Sequence, residues 1–206
     1  IQVQARVARI SIQADTLRHN YLRGIQTGLD VVRQLELKFP EHPSRLRVAI
    51  AFIITLLQVY RRTEESIVNL PDLTDPKMLA AIDILSRIGV LCKYSNTNLL
   101  SLFTLRIIRI QLRSGNNPMA PFVYAGFGMA LCSEISNFKL GTRFGTIALA
   151  LLDRYEVRED APRTRVVYFY MIAHWTTPLS EILSPLMETH REAIEVGDLV
   201  WGEISI

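Results

Sequence analysis

Cysteine and histidine are scarce in this 206-residue sequence, and neither is grouped. Cys92 and Cys132 each sit among apolar neighbours and share no short spacing with a histidine or with each other. That removes the common metal patterns and leaves two small, buried hydrophobes, in keeping with a reducing compartment. His19, His42, His174 and His190 are scattered, with no His-x-x-x-His or Glu-x-x-His pair to hold a metal. No Asn-x-Ser/Thr acceptor occurs, and no charged segment followed by an apolar run and a small-residue cleavage site opens the chain. A cytoplasmic location is expected.

Phosphate loops are missing too. Gly126-Phe127-Gly128 begins like a dinucleotide turn, but Leu131 stands where a third glycine belongs and no strand precedes it. Gly141-Thr142-Arg143-Phe144-Gly145-Thr146 has glycines but no Lys before a Thr, so helix packing is the expected reason for them. No nucleophile and base can be paired along the chain, and no catalytic, cofactor-binding or metal residue is assigned.

Long hydrophobic runs are lacking. One uncharged, strongly apolar stretch, Val48 to Tyr60, lies between Arg47 and Arg61. It falls short of the roughly 20 residues a membrane span needs and reads as a fully buried helix. The net charge of +3 is too small to imply a nucleic-acid partner without clustering.

What the sequence has in quantity is apolar residues at spacings of three and four, the helical period. Strand-like alternation is absent. Hydrophobic residues make up 49% and charged ones 21%, which suits helices packed on two sides. The apolar pattern of Val3, Val7 and Ile10 runs from Ile1, and Trp201 to Ile206 stops inside another. Both features fit a segment of a larger chain.

Prolines 40, 43, 71, 76, 118, 121, 162 and 178 mark helix breaks. Helices are expected over about Gln2–Thr16, Asn20–Leu37, Ser44–Tyr60, Glu64–Val68, Pro76–Gly89 and Asn98–Ser114. Others cover about Pro118–Ile135, Leu140–Tyr155, Pro162–His174 and Pro178–Ile194, with a further start at Asp198. Thr74 or Asp75 should cap the helix opening at Pro76. Pro185 should kink its helix or restart it after Ser184. Short links make sequence neighbours pack antiparallel. The expected fold is therefore all-α: stacked antiparallel hairpins in a tetratricopeptide-like α-solenoid, one segment over 1–206, with a candidate sub-boundary near 39–43.

An internal echo supports repeats. Tyr21-x-x-Gly24-x-x-x-Gly28 returns as Phe138-x-x-Gly141-x-x-x-Gly145, and Gly197-Asp198-x-x-Trp201 opens similarly. Small residues at these positions let a neighbouring helix come close, offsetting the roughly 1 kcal/mol each glycine costs within a helix. His174 beside Trp175 reads as a helix C-terminal histidine next to a packing ring. Arg106, Arg109 and Arg113 form a stripe expected to be a solvated outer face or paired with acids on the next helix. A phosphate- or nucleic-acid-binding face is the alternative. The polar stretch Glu156 to Asp160 reads as a loop.

Several phrases in order carry a resemblance. They are Asn69-Leu70-Pro71-x-x-Thr74-Asp75-Pro76, Leu105-x-x-Ile108-x-x-Gln111-Leu112-x-x-Gly115-Asn116, Tyr124-x-x-Phe127-Gly128, Leu140-Gly141-x-x-Phe144-Gly145, His174-Trp175-x-x-Pro178-Leu179 and Gly197-Asp198. From about residue 15 onward the chain resembles the helical linker region of very large multidomain signalling proteins. Those join a serine/threonine-kinase-like domain, a STAND-type AAA-like ATPase, a tetratricopeptide-like region and often a GAF sensor and histidine kinase. Thr142 and the Leu112-Arg113 pair depart from the family pattern.

The resemblance implies Pro71, Asp75, Pro76, Gly115, Gly128, Gly141, Gly145, His174, Trp175, Gly197 and Asp198 as structural signature residues. It implies ATP binding and kinase activity for a parent protein, with no cofactor in this segment. The partners it implies are other domains of the same chain or another protein. The helical domain of a STAND-class transcription regulator is a second reading.

Overall fold

The computed structural model describes residues 7, 8, 10–12, 14, 15, 18–158 and 161–205. Among them the fold is all-helical, without a strand. Most of the first expected helix, Val3 included, lies outside the described residues, as do Glu159, Asp160 and Ile206. Residues 7, 8, 10–12, 14 and 15 are helical.

The helices are α1 (Tyr21–Gln34), α2 (Arg45–Tyr60), α3 (Glu64–Val68), α4 (Pro76–Ser95) and α5 (Thr97–Ser114). They continue with α6 (Ala120–Ile135), α7 (Phe138–Tyr155), α8 (Ala161–Met171), α9 (Leu179–Glu195) and α10 (Leu199–Ile204). A 3₁₀ turn, Ala173–Trp175, follows α8. Two compact units result: Ile1–Arg61 with Pro71–Gly115, and Arg62–Leu70 with Asn116–Ile206.

In the first unit, caps set where helices start. The Ser44 hydroxyl accepts from the Arg47 N–H at 3.3 Å, and Asn96 accepts from the Leu99 N–H at 3.1 Å. Asp75, rather than Thr74, takes the Lys77 N–H at 2.8 Å with Pro76 first in the helix. α4 runs past the expected end at Gly89, because Leu91 and Cys92 carry its buried face on.

α1 packs on α4, α4 on α5 and α5 on α2. Pairing of sequence neighbours thus holds for α4 and α5, while α1 and α2 each pack on a later helix. Ile82, Leu85, Ile88, Leu99, Phe103 and Ile108 form the dry centre, with Phe39 edge-on to Phe103 at 4.9 Å.

The expectation of a fully buried helix over Val48–Tyr60 is corrected here. α2 buries only Ala51, Thr55 and Val59. Its large side chains face outward, Leu46 at 71% exposure, Ile53 at 56%, and Leu57 and Tyr60 at 58%. Apolar composition measures how much surface resists water; it does not supply the element that covers it.

In the second unit α6 and α7 form the most extensive pair. α8 packs on both, α9 on α8, α10 on α9 and α8, and α3 on α7. Pro185 neither ends nor restarts α9, which is continuous through it. Proline within a helix costs about 3 kcal/mol. Burial of Ile182, Leu186 and Ala193 along the same helix offsets that cost.

Candidate functional site

Three helical hairpins repeat one local construction, two of them in the second unit. A residue in the left-handed region is followed by Asn or Asp and then by a helix with glycine four places on. The sets are His19 (φ 56), Asn20 and Gly24; Ser136 (φ 53), Asn137 and Gly141; and Gly197 (φ 78), Asp198 and Gly202. Asn137 accepts from the Leu140 N–H at 3.1 Å, and Asp198 from the Trp201 N–H at 3.3 Å.

In each hairpin the glycine faces the residue nine places earlier on the preceding helix. A Cβ on Gly24 would stand 3.4 Å from the Asp15 Cβ, one on Gly141 2.3 Å from the Cys132 Sγ, and one on Gly202 3.4 Å from the Ala193 Cβ. The aromatic-and-glycine echo of the sequence is thus a helix-crossing device. Its other glycines serve the same end: a Cβ on Gly28 would meet Ile88 at 2.3 Å, and one on Gly145 the Tyr168 ring at 2.3 Å. Gly128 sits against the Gly141 carbonyl and the Gly145 N–H, at 2.8 and 3.3 Å from where its Cβ would be.

The remaining signature residues fall into two groups. In the first unit, Gly115 (φ +112) closes α5 where a Cβ would lie 2.2 Å from the Pro71 carbonyl oxygen, so Pro71 and Gly115 are one close approach. Asp75 and Pro76 start the helix that follows. In the second unit, Trp175 stacks on Phe138 at 4.6 Å, with His174 beside it at 4.7 Å. The Thr142 and Thr176 hydroxyls are 3.1 Å apart. His174 lies in the 3₁₀ turn, exposed, beyond the end of α8. Gly197 and Asp198 form the turn between α9 and α10.

The arginine stripe differs from its expectation. Arg106 and Arg109 are half-buried, and no carboxylate pairs with Arg106, Arg109 or Arg113 among the described residues. Desolvation, and then the charges of Arg106 and Arg113, lower the pKa of Arg109.

Two constructions join side chains to main-chain carbonyls that nothing in the sequence marks. Buried Asn116 donates to the Ile67 carbonyl at 2.7 Å and accepts from the Tyr124 hydroxyl at 3.3 Å. Arg143 and Arg154, eleven residues apart and so on one side of α7, donate to main-chain carbonyls around α3: Arg143 to Arg62, and Arg154 to Val68 and Leu70. That spacing was visible in the sequence, but the acceptors were not.

Cys92, Cys132 and Tyr124 are buried. Burial pushes the Cys92 thiol up to about 12 and raises Cys132, Tyr124 and Tyr168. A thiol that holds its proton is a poor nucleophile. Among the described residues no three His, Cys, Asp or Glu side chains are placed to hold a metal ion, and no helix is long and apolar enough to cross a membrane.

The described residues also expose a large apolar surface. Besides α2, α9 exposes Leu179, Leu183, Met187 and Ile194. A shallow depression runs along this outer face beside Ser180, Ser184, Glu188 and Arg191. No family model, curated protein or solved structure matches the chain.

Proposed function

We propose that this chain is a non-catalytic helical-repeat module, a tetratricopeptide-like stack of antiparallel hairpins, that relays contacts between proteins or domains. In this reading it belongs to a cytoplasmic multidomain signalling ATPase and kinase of the type its motifs resemble, and ATP is bound elsewhere in that parent. The observation that carries the reading is the shared register of Gly24, Gly141 and Gly202, each facing the residue nine places back. A local device used three times is how repeat proteins build extended surfaces from short units. The outward apolar faces of α2 and α9 support contact with other protein, since apolar patches of this size mark interaction sites.

The test is equilibrium binding and turnover of Mg-ATP by residues 1–206. No binding and no hydrolysis are expected. Micromolar binding, or turnover by the purified chain, would end the reading.

The half-buried arginines favour a second reading, in which the Arg106, Arg109 and Arg113 face takes a polyanion such as nucleic acid. DNA binding that weakens steeply with salt and disappears in Arg106→Ala/Arg109→Ala would select it.

A further inference from the structure

The two units carry opposite charge. The first has 15 Lys and Arg against 7 Asp and Glu; the second has 8 against 13. The contrast sharpens at the two exposed helices. α2 has no carboxylate, and arginines stand at both its ends: Arg45 and Arg47 at the start, Arg61 just past the last residue. α9 presents exposed Glu181, Glu188 and Glu195 beside a single exposed cation, Arg191.

The apolar stripe on α2 also has a definite form. Leu46, Ile50, Ile53, Leu57 and Tyr60 are spaced four, three, four and three residues apart, and all are exposed. That is the seam of a helix packing on another helix, narrower than the broad face of a helix lying in a lipid surface. With Ile54 the stripe sets six large apolar side chains in solvent along one helix, a contiguous patch of the kind that marks an interaction site. A helix pairing with its own copy would set Arg45 and Arg47 near a second Arg61, like charge against like. An acidic helix with its own apolar stripe suits the face better, and α9 is one.

We infer that the chain associates head to tail, the α9 face of one copy docking on the α2 face of another. This deepens the scaffold reading by naming one partner, and it rests on that reading. The contact is heterologous, so each copy keeps one α2 and one α9 face free for the next. Charge brings the two faces together and selects the pairing; the apolar stripes hold it.

Sedimentation velocity over about a hundredfold range of concentration tests it. Reversible association is expected, weakened about tenfold or more between low and high salt. Ile53→Glu and Leu183→Glu should each disrupt self-association, one by spoiling the α2 face and the other the α9 face. Mixed together they should form a one-to-one dimer, because each variant retains the face the other lacks.

Should either variant prove unstable, Arg45→Glu/Arg47→Glu and Glu181→Arg/Glu188→Arg give the same logic: each weakens association alone, and the mixture restores it. A chain monomeric throughout, a mixture with no dimer, association indifferent to both apolar substitutions, or binding to phosphatidylserine vesicles lost in Ile53→Glu would each overturn the inference. Those outcomes leave the scaffold reading standing, whereas nucleotide turnover removes the scaffold reading whatever the chain's association state.

Discussion

Gly126 and Gly141 lie on the two helices of one hairpin, and alanine should act on them with opposite sign. In a helix alanine is favoured over glycine by about 1 kcal/mol. A Cβ on Gly126 meets nothing within 4 Å, so that gain is kept. Gly126→Ala should stabilise by about 0.5–1 kcal/mol, with Tm rising roughly 2–4 °C per kcal/mol in a chain of this size.

A Cβ on Gly141 would lie 2.3 Å from the Cys132 Sγ and 2.8 Å from the Gly128 carbonyl oxygen. The sulfur can rotate away. The carbonyl cannot, being part of the α6 main chain, so α7 must move off α6. Overpacking of this kind costs about 1–3 kcal/mol, more than the helical gain. Gly141→Ala should therefore melt several degrees below the unmodified chain. Thermal unfolding followed by circular dichroism reads both variants. If Gly141→Ala melts as high as Gly126→Ala, the helices are not held at the distance that the hairpin register requires.

Other consequences follow from single contacts. Gly115→Ala places a Cβ 2.2 Å from the Pro71 carbonyl at positive φ and should cost about 2 kcal/mol or more in urea unfolding; Gly197→Ala, strained in φ but in open space, should cost about 1. Asn116→Ala leaves the Ile67 carbonyl without its donor and should destabilise by about 2–3 kcal/mol, against about 1 for Tyr124→Phe; equal midpoints for the two would remove Asn116 from the centre of that network. The folded Cys92 thiol keeps its proton to about pH 12, whereas the unfolded thiol releases it near 9.0. Its contribution to stability is thus whole below pH 9.0 and is lost as pH rises from there toward 12, and a thiol reagent at neutral pH should modify Cys92 only in denaturant.

The helical class was legible because periodicity and caps are local. Asp75 with Pro76, the hairpin turn at Ser136-Asn137 and the short α3 all follow from residues within a few positions of one another. The Tyr21 and Phe138 motifs likewise announced close crossings. What they left open was the partner, since α1 crosses α4 rather than α2, and no local pattern encodes a contact across that much chain.

A restart at Pro185 does not occur, since α9 runs continuously through it. The proline's local penalty is real, yet packing of Ile182 and Leu186 on the rest of the unit outweighs it. The arginine stripe was visible, but its half-burial without carboxylates was not, because that depends on what surrounds α5 in space. α2 is the largest discrepancy. Its composition argues for burial, and the described chain covers only Ala51, Thr55 and Val59.

The outward direction of that helix is the claim on which the rest turns, and Ile53→Glu tests it most directly. Thermal unfolding at a concentration low enough for the chain to be monomeric should give a Tm within about 2 °C of the unmodified protein, as expected for a surface site. A drop of roughly 10 °C or more, the sign of a charge forced into a core, would contradict it and make α2 the buried helix that its composition suggests.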